Sequence, residues 1–222
     1  MNQSSEENKN QDIFDRLTWD DSIDAHDISV SVLDGVASLE GTVPSYAAKM
    51  AVEGYAYQAS EITDVRNNLT VDFPTAEAVP SDLELITNIE NKLKWNSQIN
   101  AKGIKVDATN GKVILSGVVD SYWRKKSAED ITLKTRGVVD VANDLNVTPV
   151  KPVDDIDIEN DIRNAYRRNG ITGDESDLRV SVNGGIVKLS GSLPNYLLKV
   201  SAKEIAAYTS GVKNIVDEII IK

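Results

Sequence analysis

The sequence predicts an α+β protein of three tandem αββαβ modules, each a three-stranded mixed sheet with two helices on one face. Two observations carry this: a segment that occurs three times without a gap, and hairpin-turn dipeptides at the same point of each copy. Residues 28–46 return as 104–122 and again as 178–196, at offsets of 76 and then 74. The match runs on downstream through Lys49, Lys125 and Lys199, then Leu69, Leu145 and Ile219, then Val71, Val147 and Ile221. A period of this size marks repetition of one supersecondary unit.

Each element follows from its local pattern. The runs Val30-Ser-Val32, Val106 and Val180-Ser-Val182 alternate with period two, as do the Leu39, Leu115 and Leu189 runs that follow, so all are strands. Between them stand Asp34-Gly35, Asn110-Gly111 and Gly184-Gly185, residues that accept the positive φ of a tight hairpin turn. Ser45, Ser121 and Asn195 then suit a helix N-cap. The next helix carries small and apolar residues at helical spacing, such as Ala48 and Val52 or Leu198 and Ala202. Gly137 and Gly211 fit a helix C′ position, where the first copy has Glu61 instead. Closing strands are expected over 66–71, 142–147 and 216–221.

A less similar helix precedes each hairpin. Its apolar face is Ile13, Phe14 and Leu17, then Leu85, Ile86, Ile89 and Leu93, then Ile158, Ile162 and Tyr166. The modules therefore fall at 11–73, 82–148 and 154–222, after a disordered tail at 1–10. The segments 74–81 and 149–153 join them as proline-bearing, extended linkers. Gly41, Gly117 and Gly191 are expected to make room where a helix crosses the strand end. Trp19 and Trp95 are expected to cap the first helix against the sheet.

Composition excludes whole classes of function. With no cysteine there is no disulfide, thiol chemistry or sulfur-ligated metal. The net charge of −11 disfavours nucleic acid, which needs clustered cations. The charge is also uneven: residues 11–73 carry 3 basic and 12 acidic side chains, 83–148 carry 10 and 8, and 154–222 carry 9 and 11. The start is polar and acidic, unlike a signal peptide, and no apolar run has the length of a transmembrane helix. The expected location is the cytoplasm, or the periplasm if a leader has been removed.

The pattern Val-x-Val-x-Asp-Gly-x-Ala-x-Leu-x-Gly-x-Val of residues 30–43, a helix, and then Gly137-Val-Val-Asp-Val-Ala-Asn-Asp-Leu-Asn-Val147 resembles the BON domain family, named for bacterial osmotically inducible and nodulation proteins. The resemblance extends over all three copies. The shared Leu17-Thr-Trp19-Asp20 and Leu93-Lys-Trp95-Asn96 look like the soluble triple-BON proteins. It implies modules that bind rather than react, in proteins of osmotic or envelope stress. Some relatives bind anionic phospholipids, and others are attached to channels, secretins or peptidoglycan-binding domains.

No catalytic residues, metal site or cofactor are expected. His26 is the sole histidine, so it has no imidazole partner for a dyad or a metal cluster. The acidic run Asp154, Asp155, Asp157, Glu159 and Asp161 lacks the glycine and final glutamate of a calcium loop. It reads instead as a helix start matched to the dipole. The candidate binding residues are Tyr122, Trp123, Arg124, Lys125 and Lys126, an aromatic pair beside three cations. Such a pair suits anionic headgroups or an acidic protein. The equivalent helix starts are Tyr46 with Lys49 and Tyr196 with Lys199. The alternative is a self-associating scaffold whose basic second module docks on the acidic first module of a neighbour. The oligomeric state is left open.

Overall fold

The computed structural model describes the chain except residues 1, 2, 20–22, 24, 60, 74–78 and 172–176. Asp20 and most of the first linker thus lie outside the described residues. The first module comprises α1 (Gln3–Thr18), β1 (Ile28–Leu33), β2 (Val36–Val43), α2 (Tyr46–Gln58) and β3 (Asp64–Val71). The second comprises α3 (Asp82–Trp95), β4 (Ile104–Thr109), β5 (Lys112–Val119), α4 (Tyr122–Leu133) and β6 (Asp140–Val147). The third comprises α5 (Asp155–Arg168), β7 (Arg179–Asn183), β8 (Ile186–Leu193), α6 (Tyr196–Tyr208) and β9 (Asn214–Ile221).

Every sheet has the same topology. The hairpin strands pair antiparallel, and the last strand adds parallel to the second, giving the orders β1-β2-β3, β4-β5-β6 and β7-β8-β9. Register repeats as well: Val30 faces Leu39, Val106 faces Leu115, and Val180 faces Leu189. The period-two pattern explains which face is covered. Ala37, Leu39 and Val43 are buried on β2, and so are Val113, Leu115, Val119 and Val187, Leu189, Leu193 at the equivalent positions.

The first helices press Ile13 and Leu17, Leu85, Ile89 and Leu93, and Ile158, Ile162 and Tyr166 onto that face. Each such side chain contributes about 1.5–3 kcal/mol of burial. The second helices present Ala48, Val52 and Ala56, or Ala202 and Ala206, whose small side chains let helix and sheet approach closely. Tyr166 stands where an aliphatic residue serves the second module, and its hydroxyl donates to the Ala202 carbonyl at 2.9 Å. Burial pushes its phenol well above the ordinary range.

First helix and hairpin are also tied by one carboxylate. Asp82 accepts from the amides of Asn110 and Gly111 at 2.9 and 3.1 Å. Asp155 does the same for Gly184 and Gly185 at 2.7 and 2.8 Å. The acidic run of the third module is therefore structural. Asp154 is the N-cap, Asp155 holds the turn, and Glu159 pairs with Arg163.

Several expectations are corrected. The stretch 1–10, read as a disordered tail, is helical from Gln3, because Glu, Lys and Gln prolong a helix anchored by Ile13 and Leu17. The Lys9–Glu61 ion pair at 2.6 Å fixes it to the rest of the module. Gly41, Gly117 and Gly191 do not make room for a helix. A Cβ there would strike the carbonyl of Asp27, Gly103 or Asp177, the backbone entering the first strand, and their φ of 121°, 118° and 108° independently favours glycine.

Trp19 and Trp95 are not packed on the sheet: they are 89% and 84% exposed. Their helices bury Leu17 and Leu93, and two residues further on the surface has turned to solvent. Gly137 and Gly211 lie beyond the C-cap residues Lys134 and Thr209 rather than next to them. Ser45 and Asn195 cap through their side chains, to Ala48 and Leu198, whereas Ser121 turns to Asp120.

Candidate interaction surface at the module seams

The second helix of each module carries a tyrosine at its first position, Tyr46, Tyr122 and Tyr196. The residue before each helix, Ser45, Ser121 or Asn195, has extended backbone. Tyr122 meets the third module and Tyr196 meets the first.

Between modules two and three, Tyr122 packs against the third core, and Trp123 stacks on Tyr208 with ring centroids 6.0 Å apart. Between modules three and one, Tyr196 stacks on Tyr57 at 4.1 Å with the rings only 3° from parallel. Between one and two, Tyr46 lies near Asp140 and Glu129 of the second module, which add to burial in pushing its phenol up. Burial likewise raises Tyr122 and Tyr196, the latter helped by Glu53 from across the seam. At the seams of modules two with three and three with one, the start of one second helix thus meets the end of the next, and with the linkers these contacts close the chain on itself.

Of the cations named from the sequence, Arg124, Lys125, Lys126 and Lys199 have partners. Arg124 is ion-paired with Asp120, donates to the Gln98 carbonyl at 2.8 Å and lies 5.1 Å over the Trp123 ring. Lys125 donates to the Leu145 carbonyl at 2.8 Å, and Lys199 to the equivalent Ile219 carbonyl at 2.7 Å. These two lysines tie the second helix to the last strand. Lys49 is half-buried, and its carbonyl accepts from Asn67. Lys126 pairs with Asp130 at 3.1 Å. Of the named residues, Tyr122, Trp123 and Tyr196 meet a neighbouring module directly, while Lys125 and Lys199 brace their own.

Beside the tyrosines lies a polar pair that changes chemistry between copies. Glu53 accepts from Asn67 at 3.0 Å, and Glu129 from Asn143 at 3.0 Å. In the third module the equivalent residues are Lys203 and Asp217, an ion pair at 3.0 Å. Burial alone would raise the Asp217 carboxyl, but the Ile219 amide with Lys203 and Lys199 outweighs it and holds the group below its ordinary value.

Sequence reasoning missed Tyr57 and Tyr208, the receiving side of two seams. A signal existed in the two aromatics at adjacent repeat positions near the end of the second helix. His26 is exposed in the short 3-10 turn Ala25–Asp27. Among the described residues no group of three or more His, Asp or Glu side chains is placed to hold a metal ion. No helix among them is long and apolar enough to cross a membrane.

The fold and its seams define a tandem-repeat α+β protein of αββαβ modules. The BON domain profile matches residues 5–72, 81–149 and 154–222, and the chain belongs to that family. It is 33% identical over 128 residues to osmotically-inducible protein Y of Escherichia coli K12, an alignment that covers 56% of this chain and 64% of that protein. It is 28% identical over 120 residues to a 21 kDa hemolysin of Actinobacillus pleuropneumoniae, covering 54% of this chain and 61% of the relative. The chain therefore spans somewhat under two thirds of both relatives. Among solved structures, CdsD, a structural protein of the type III secretion system of Chlamydia trachomatis, aligns over 96% of this chain and 91% of its own. Its sequence identity is 14% and the TM-score 0.27.

Proposed function

We propose that the chain is a non-enzymatic binding and scaffold protein of osmotic or envelope stress, acting as one three-module body. The observation that carries this reading is the closed set of seams. Tyr122 and Trp123 hold module three, and Tyr196 and Tyr57 join modules three and one. The start of the second helix is an interaction element for apolar protein surface, and within this chain its partner is the adjacent module. The similarity to an osmotically inducible protein supports the stress setting.

Anionic phospholipid is the weaker partner. The aromatic pair that would enter a membrane interface is turned to module three, and Arg124 and Lys126 already face carboxylates. The test is growth of a deletion strain after osmotic upshift, beside co-sedimentation with vesicles containing anionic lipid. The reading expects a growth defect, restored by the chain, with no vesicle binding. Normal growth of the deletion strain contradicts the stress role. Vesicle binding lost in Arg124→Ala/Lys126→Ala contradicts the choice of a protein partner.

A further inference from the structure

The modules are not tied to one another in the same way. Modules two and three are joined by the short segment 148–154 and by a filled contact, where Tyr122 packs against the third core and Trp123 stacks on Tyr208. Modules one and two are joined by residues 72–81, between β3 and α3, a length that can span up to about 35 Å. Modules three and one have no peptide between them. Tyr57 and Tyr196, which meet there, are 139 positions apart in the chain.

This last seam is also less filled than that of modules two and three. Leu197 and Gln58 stand where the neighbouring seam has Trp123 and Tyr208. Leu197 is 63% exposed, and a cleft of about 520 Å³ opens beside the Tyr57–Tyr196 stack. Arg16 and Lys222 line it from opposite modules, but their ion-pair partners, Asp12 and Asp177, lie in their own modules. The stacked pair is therefore the main tie, and an under-filled contact opens at lower cost than a packed one.

A contact held without a peptide link can be made equally well with the same module of a second copy. We infer that the chain exchanges module one between copies: Tyr57 of each copy stacks on Tyr196 of the other, in a twofold dimer with both seams closed. This rests on the scaffold reading and gives it a partner, a second copy of this chain. No new surface is required, because the complement of each seam is the one seen within the chain. Tyr46 returns in the same way to the side of Asp140 and Glu129, now on the other copy's second module. A reciprocal pair leaves no seam unused, so the assembly stops at two. The contacts within and between chains are the same, and concentration decides between them. A tethered module has an effective concentration of about millimolar, and exchange becomes populated as the chain approaches it.

The experiment is sedimentation velocity of the full chain, alone and in mixtures, with tryptophan emission recorded in parallel. The wild type dimerises as it nears millimolar concentration, a readout that needs no substitution. Tyr57→Ala and Tyr196→Ala each lose the stack whether the seam closes within or between chains, so neither alone dimerises more than the wild type. Mixed in equal amounts, they rebuild one intact stack, and only between chains. The mixture therefore dimerises at about tenfold lower concentration than the wild type, the gain of one aromatic contact. Tyr57→Ala/Tyr196→Ala mixed with either single variant rebuilds none and shows no gain. Trp123 stays packed on Tyr208, so emission is unchanged on dimerisation. A wild type that stays monomeric throughout overturns the inference, as does a mixture no more dimeric than its components or an equal gain with the double variant. A red shift on dimerisation overturns it too, because the seam of modules two and three then opens instead. If the mixture dimerises but the deletion strain grows normally, the stress reading falls and the exchange stands. If the mixture stays monomeric while the deletion strain shows its growth defect, the exchange falls and the stress role stands.

Discussion

Tyr57 of the first module and Tyr196 of the third stack face to face, 4.1 Å between ring centroids and 3° from parallel. They are 139 residues apart in sequence. Their contact turns a string of modules into a closed body. A stacked aromatic pair is worth about 0.5–1.5 kcal/mol beyond its burial. Tyr57→Ala/Tyr196→Ala should therefore open this seam while each module stays folded. Small-angle scattering reads the opening as a larger radius of gyration, and far-ultraviolet circular dichroism should be unchanged.

Alkali should open the same seam. Burial, with Asp64 and Glu53 nearby, pushes the Tyr57 phenol up to about 12, and burial with Glu53 and Asp217 raises Tyr196. The closed state holds both phenols neutral. Their stabilisation is complete below the ordinary tyrosine value of about 10 and is lost as pH rises through the raised values. Absorbance at the tyrosinate band, followed together with scattering, should show late-titrating phenols whose ionisation coincides with expansion. Ionisation of all 7 tyrosines at the ordinary value would speak against the seams.

Glycine substitutions should act in opposite directions by location. Gly117→Ala sets a Cβ against the Gly103 carbonyl at φ 118°, and should cost about 2–3 kcal/mol. Gly54 lies inside α2 with open space where a methyl would stand, so Gly54→Ala should stabilise by about 0.5–1 kcal/mol. Thermal unfolding of both variants checks the signs.

The exchanged polar pair should be portable. Asp217→Asn leaves Lys203 without its carboxylate and should cost about 0.5–1 kcal/mol, a partly solvated ion pair. Lys203→Glu/Asp217→Asn recreates the pair of the other modules and should recover most of that loss. Because Asp217 is held below its ordinary value, its contribution is present above about pH 4 and is lost as pH falls through the lower folded value. The double variant should be less acid-sensitive in this module, as measured by chemical denaturation across that range.

The repeat made the fold readable. Period two at Leu39, Leu115 and Leu189 reports a sheet face that is covered identically in each copy, and the turn glycines report backbone shape. Surface fate was not readable in this way. Trp19 and Trp95 are apolar and repeated, yet they point to solvent, because periodicity registers residue type and not what covers it. The seams were half visible: Tyr46, Tyr122 and Tyr196 align in the repeat, but the receiving residues, Tyr57 for Tyr196 and Tyr208 for Trp123, stand at different repeat positions. A contact between modules depends on how they are turned, and that orientation is set by the linkers and the seams together.

Small-angle scattering from the dilute full chain tests the closed three-module body most directly. A compact chain of this length has a radius of gyration of about 17 Å, and three closed lobes should lie only a little above it. The expected result is a narrow, single-peaked pair-distance distribution that broadens in Tyr57→Ala/Tyr196→Ala. A broad, extended distribution in the wild type, unchanged by that double substitution, would contradict the account.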